Sequence, residues 1–67
     1  MNLKINGRQV DVPSEVKSVA DLLVHLGLET KIVVVERNQD ILQKENHQDT
    51  SVFEGDQIEI VTFVGGG

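Results

Sequence analysis

Four β-branched residues stand in a row at Ile32-Val33-Val34-Val35. Such side chains are stiff at χ1 and crowd the turns of a helix, but they pack well on a pleated surface, so the run reads as a strand. Strand side chains alternate between faces, and an unbroken apolar run therefore needs at least partial cover on both. With 67 residues there is room for one domain only, so sheet and cover must come from the same small unit.

The flanking segments supply both. Leu3 and Ile5, then Val10 and Val12, alternate with polar residues on either side of Asn6-Gly7, a strong hairpin signal. Pro13 ends the second strand by removing a ladder donor. Ser18 can cap a helix that starts at Val19, with the Asp21 carboxylate three residues on. Val19, Leu22, Leu23 and Leu26 form its apolar stripe, and Gly27 is a natural stop before Leu28 packs back. After the β-branched strand, Asn38-Gln39-Asp40 turns the chain into a short strand around Ile41 and Leu42. Residues 43–51 read as a polar loop, Glu54-Gly55-Asp56 as a turn, and Gln57 to Val64 as the last strand.

The order β-β-α-β-β-β predicts an α+β fold of the β-grasp (ubiquitin-like) kind, a mixed sheet of four to five strands packed on one helix. The last strand, long and apolar, is expected beside the first. A right-handed crossover through the helix is expected to set the third strand parallel to its sheet partner. The core is expected to hold Leu3, Ile5, Val10, Val12, Val19, Leu22, Leu23, Leu26, Val33, Val35, Ile41, Val52, Ile58 and Ile60. The domain is placed at residues 1–64, with 65–67 as a flexible glycine tail.

Composition narrows the function classes. The chain carries eleven acidic and six basic residues, a net charge of −5, which argues against binding a phosphate backbone. Two Phe, and neither Trp nor Tyr, leave little for stacking on bases. An acidic surface suits docking on basic protein partners. Without cysteine there is no disulfide, thiolate metal site or thiol catalysis. The apolar runs are too short to span a bilayer, and the N-terminus lacks a signal-peptide core, so a cytoplasmic location is expected.

No constellation reads as an active site. His25 and His47 lack a partner at metal-ligand spacing, and Ser14, Ser18 and Ser51 lack a nucleophile-elbow context. Glu54, Asp56 and Glu59 fit a turn and a solvated strand edge better than paired catalytic carboxylates. If Ile58 and Ile60 face the helix, Glu59, Val61 and Phe63 face away, and Val34 joins them across the sheet. Val34, Val61 and Phe63 thus form an expected docking patch beside the tail. The ending Val64-Gly65-Gly66-Gly67 is a thread without side chains, and its terminal carboxylate is sterically open.

Three segments together carry a resemblance. Val33-Val34-Val35-Glu36-Arg37-Asn38, Glu54-Gly55-Asp56-Gln57-Ile58-Glu59-Ile60 and Val64-Gly65-Gly66-Gly67 resemble the ThiS family, the sulfur carrier proteins of thiamin (thiazole) biosynthesis. The resemblance implies a protein cosubstrate with no active site, no bound cofactor and no metal of its own. A ThiF-type adenylating enzyme would use ATP and magnesium to activate the Gly67 carboxylate, with Gly66 its essential neighbour and Gly65, in the tail, adding only flexibility. A sulfur donor such as a cysteine desulfurase would then leave a thiocarboxylate, which a ThiG-type thiazole synthase receives. Members commonly end in two glycines after another residue, whereas here there are three. Neither nucleic acid nor membrane is implied as a partner. A molybdopterin-synthase small subunit, a ubiquitin-like modifier and a plain interaction module share the fold and remain as alternatives.

Overall fold

The computed structural model describes residues 1–63, and the expectations for Val64, Gly65, Gly66 and Gly67 lie outside the described residues. Strands β1 (Asn2–Ile5) and β2 (Arg8–Asp11) form the opening hairpin, followed by helix α1 (Val19–His25). Strands β3 (Val33–Arg37) and β4 (Asp40–Leu42) form a second hairpin. A 3-10 turn at Lys44–Asn46 lies in the polar loop, and β5 (Gln57–Thr62) closes the order. The sheet runs β2-β1-β5-β3-β4, so β5 is central and pairs parallel with β1 and antiparallel with β3. The expected parallel neighbour for β3 is not found. Both its partners are antiparallel, and the parallel pairing falls between β1 and β5 instead. The crossover through α1 carries the chain from one side of the central pair to the other, without making β2 and β3 neighbours.

Local chemistry explains the corners. Asn6 and Gly7 take φ of 51° and 83°, the left-handed pair that a two-residue hairpin needs to match the twist of its strands. The second hairpin turns in the same way at Asn38 and Gln39, with φ of 50° and 76°. Gln39 holds that conformation without the freedom of glycine. Gly55, at φ 84°, occupies the third position of the Phe53–Asp56 turn, which the Asp56 N–H closes on the Phe53 carbonyl at 3.0 Å.

Helix α1 has seven residues, too few to be stable alone, and its ends are completed by neighbours. The Ser18 hydroxyl accepts from the Asp21 N–H at 3.0 Å, while the Asp21 carboxylate accepts from the Ser18 and Lys17 N–H groups. The other first-turn donors find carbonyls in the polar loop: Val19 N–H reaches Thr50 at 2.8 Å, and Ala20 N–H reaches His47 at 3.0 Å. At the far end Gly27 N–H donates to Val24 and Leu28 N–H to Leu23, the paired bonds of a Schellman stop.

The core between α1 and the sheet holds Leu3, Ile5, Val12, Val16, Val19, Leu22, Leu23, Val35, Val52, Ile58 and Ile60. Val10, Leu26 and Val33 of the expected core sit at its edge, partly buried. Ile41 is a correction. It pairs with Glu36 and is 66% exposed, whereas its neighbour Leu42 pairs with the buried Val35 and packs on the core. One step of register decides which of two adjacent apolar residues goes inside. Val16 was absent from the expected core because it follows a proline turn, where no periodicity marks it.

Candidate functional site

The side of the sheet away from α1 has no layer upon it among the described residues, and the β3–β5 register sets what it displays. Val34 stands opposite Val61, and Glu36 opposite Glu59. Beyond the ladder, Phe63 N–H donates to the Ile32 carbonyl at 3.0 Å, so the pairing continues one row further. Alternation from the buried Val35, Ile58 and Ile60 places Val34, Val61 and Phe63 on this open face. Phe63 is 55% exposed and Val61 53%, while Val34 is half-buried. Ile41 adds a fourth apolar group beside Glu36. The structure therefore brings together Val34, Val61 and Phe63, and extends that patch with Ile41. Register alone exposes Ile41, and a sequence shows register only indirectly. Ile32, just ahead of β3, is exposed and borders a depression on the helix side instead.

The end of β5 opposite this patch is fixed by a buried carboxylate. Asp56 is 8% exposed, unlike the solvated turn residue expected for it. One oxygen accepts from Arg37 Nε at 2.9 Å and from the Phe53 N–H at 2.8 Å, and the other from Asn38 Nδ2 at 3.2 Å. Burial pushes its pKa up, but the Phe53 N–H, the Asn38 amide and the Arg37 guanidinium outweigh that. The result lies below the ordinary 3.8. Arg37 also lies over the Phe53 ring, 5.6 Å from its centre. Asn38 Oδ1 accepts from Gln57 N–H, and Asn6 spans both backbone groups of Ile60, donating at 3.1 Å and accepting at 2.7 Å. The Glu36-Arg37-Asn38 and Glu54-Gly55-Asp56 segments are thus two halves of one clamp.

The other sequence candidates are dispersed. His25 is exposed on α1, and Ser18 serves as its cap. His47 is buried, and its Nε2 has no hydrogen-bond partner among the described residues. Glu54 accepts from the Asn2 N–H, which ties the turn to β1. Among the described residues no group of three metal-ligating side chains comes together. No helix there is long and apolar enough to cross a membrane. A depression of about 330 Å³ lies on the helix side, with walls of Leu23, Val24, Leu28, Ile32 and Val33. It holds no paired carboxylates or activated nucleophile.

A five-stranded mixed sheet with a parallel central pair, one helix across one face and an apolar open face beside the end of its last strand defines a β-grasp domain. The model of the ThiS family matches residues 3–67, and the chain belongs to that family. It is 45% identical over 65 residues to the sulfur carrier protein ThiS of Bacillus subtilis (strain 168), covering 97% of this chain and 98% of the relative. It is 40% identical over 67 residues to a thiazole synthase of Paramagnetospirillum magneticum, of which it spans 20% of the length. The crystal structure of a thiamine biosynthesis protein (ThiS) from Geobacter metallireducens superposes with a TM-score of 0.83 at 36% identity, over the whole of both chains.

Proposed function

We propose that this chain is the sulfur carrier for thiazole formation in thiamin biosynthesis, acting through the Gly67 carboxylate and without an active site of its own. The similarity to a sulfur carrier over nearly the full length of both proteins carries this reading. The thiazole synthase that includes a matching segment supports the final acceptor. It also favours the thiazole carrier over a molybdopterin-synthase subunit or a protein modifier.

A carboxylate is a poor electrophile because its oxygen is a poor leaving group. In the proposed sequence a ThiF-type enzyme attacks ATP with the Gly67 carboxylate, forming an acyl-adenylate and releasing pyrophosphate, with magnesium held on the enzyme. The terminal sulfur of a persulfide on a cysteine desulfurase or similar donor displaces AMP to give an acyl disulfide. A thiol reductant then cleaves its S–S bond, taking the donor's sulfur into a disulfide and releasing the thiocarboxylate that thiazole synthase consumes. Gly66 and Gly65 lack Cβ atoms, and a thread of them passes where side chains would not. Val34, Val61 and Phe63 serve as the docking contact of this carrier.

Intact-mass spectrometry tests the reading after incubation with ATP, the cognate adenylating enzyme and a sulfur donor. The expected product is heavier by the replacement of one oxygen with sulfur, and deletion of Gly67 abolishes it. An unchanged mass, with an enzyme and sulfur donor that load another sulfur carrier in the same assay, overturns the carrier reading.

A further inference from the structure

Asn6 is the only asparagine of the chain followed by glycine; Asn2, Asn38 and Asn46 precede Leu3, Gln39 and His47. That neighbour matters because the backbone nitrogen of a glycine, with no Cβ beside it, can close on the preceding side-chain amide. In the folded chain the same side chain has another task. Strands β1 and β5 share two register pairs, Lys4–Gln57 and Ile5–Ile58, before the first hairpin turns away. Asn6 prolongs the joint. Its N–H donates to the Ile58 carbonyl at 2.9 Å and its Nδ2 to the Ile60 carbonyl at 3.1 Å, while its Oδ1 accepts from the Ile60 N–H at 2.7 Å.

Asn6 is exposed, so burial does not shield it from water. What restrains it is its bonding to β5. To close a ring on the Gly7 nitrogen, the side-chain amide must leave Ile60 and give up both of its bonds together. The ring would also take over the Cα–C torsion of Asn6, which the left-handed hairpin turn already fixes.

We propose that Asn6 is a conformation-gated modification site, inert while docked on β5 and open to deamidation when β1 and β5 separate. In the reaction the Gly7 nitrogen forms a bond to Asn6 Cγ, the Cγ–Nδ2 bond breaks, and Nδ2 leaves as ammonia with the Gly7 amide proton. Water then opens the cyclic imide at either carbonyl, leaving aspartate or isoaspartate. Aspartate sets a carboxylate oxygen against the Ile60 carbonyl where Nδ2 had donated. Isoaspartate instead adds a carbon to the backbone of a two-residue turn. Either product weakens the joint that had protected the amide, so an opening leaves a lasting mark. The gate works in the same way whether or not the chain carries sulfur.

The test incubates the full chain in mildly alkaline buffer, with and without guanidinium chloride, and follows intact mass and peptide maps. Deamidation shows as the exchange of an NH2 for an OH, and mapping assigns it to a residue. In denaturant Asn6 should convert ahead of Asn2, Asn38 and Asn46. In native buffer its rate should be lower by about tenfold or more, because conversion then tracks the open population. Asp56→Ala loosens β5 through bonds that do not involve Asn6, and should speed conversion in native buffer by about tenfold or more. Asn6→Asp, a mimic of one product, should melt below wild type. Equal wild-type rates in native buffer and denaturant overturn the gate, and so does an Asp56→Ala protein that is less stable but converts no faster. If Asp56→Ala does not fold, wild type titrated through its unfolding transition decides instead: conversion should follow the unfolded fraction, and a rate that ignores it overturns the gate. An Asn6→Asp protein as stable as wild type overturns the lasting mark.

Discussion

The two ends of β5 are built in opposite ways. At its start, Asp56, Asn38 and Arg37 tie the strand to the β3–β4 turn, and at its middle Asn6 of the first hairpin turn holds Ile60, through hydrogen bonds that bridge distant parts of the chain. At its end, Val61, Thr62 and Phe63 are exposed, and β3 is the only strand paired with them among the described residues. Substitutions at the start should therefore act on stability, and substitutions at the end on association. On the proposed carrier reading this division is useful, because a terminus presented to partners can be handled without loosening the core.

Asp56→Ala gives the largest expected break of that contrast. It leaves Arg37 and the Phe53 N–H without their acceptor and should cost about 2–4 kcal/mol in denaturant unfolding. A loss within 0.5 kcal/mol would show that the clamp does not hold β5. The same carboxylate predicts a pH dependence. Its folded pKa lies below its unfolded value, so the stabilisation is fully present above about 3.8 and is lost as pH falls through the lower folded value. Asp21 is shifted in the same direction, chiefly by the Lys17 N–H and then by that of Ser18. Asp56→Asn should flatten the stability profile of the domain below pH 4, and a profile equal to wild type would remove Asp56 from the account.

Asn6→Gly keeps the left-handed turn but removes the two bonds to Ile60, and should cost about 1 kcal/mol by chemical denaturation. Gln39→Gly should act in the other direction, since a non-glycine residue at φ 76° is strained; a gain of about 0.5–1 kcal/mol is expected. No gain would mean that the Gln39 side chain offsets its backbone cost. The smallest stability effect belongs to the far end of β5. Phe63→Asp should change unfolding by less than about 0.5 kcal/mol while weakening binding to the proposed adenylating partner. An unfolded Phe63→Asp protein would place Phe63 in the core and erase the contrast.

Much of this was legible along the chain because its causes are local. The Asn6-Gly7 turn, the Ser18–Asp21 cap and the Gly27 stop each depend on residues within a few positions, and each lies where expected. The open-face position of Val34, Val61 and Phe63 followed from alternation and one assumption about which way Ile58 points. The failures concern long-range register. Ile41 and Leu42 are equally apolar, and only pairing with Val35 and Glu36 sends one in and the other out. Asp56 read as a solvated turn residue because its partners Arg37 and Asn38 lie on another hairpin. The Asn6 side chain likewise completes a strand at the other end of the sequence, which no short-range signal reports.

The loop carbonyls that receive the first amides of α1 bear on how the molecule opens. Thr50 and His47 hold the amides of Val19 and Ala20, and Val52 N–H returns a bond to the Lys17 carbonyl. A helix of two turns whose entry is closed by a segment beyond β4 cannot serve as an early seed of folding. It consolidates with that segment, and the two should be released together. In hydrogen exchange the Val19 and Ala20 amides would then report the detachment of the loop rather than fraying of the helix, one opening event read from two places in the chain.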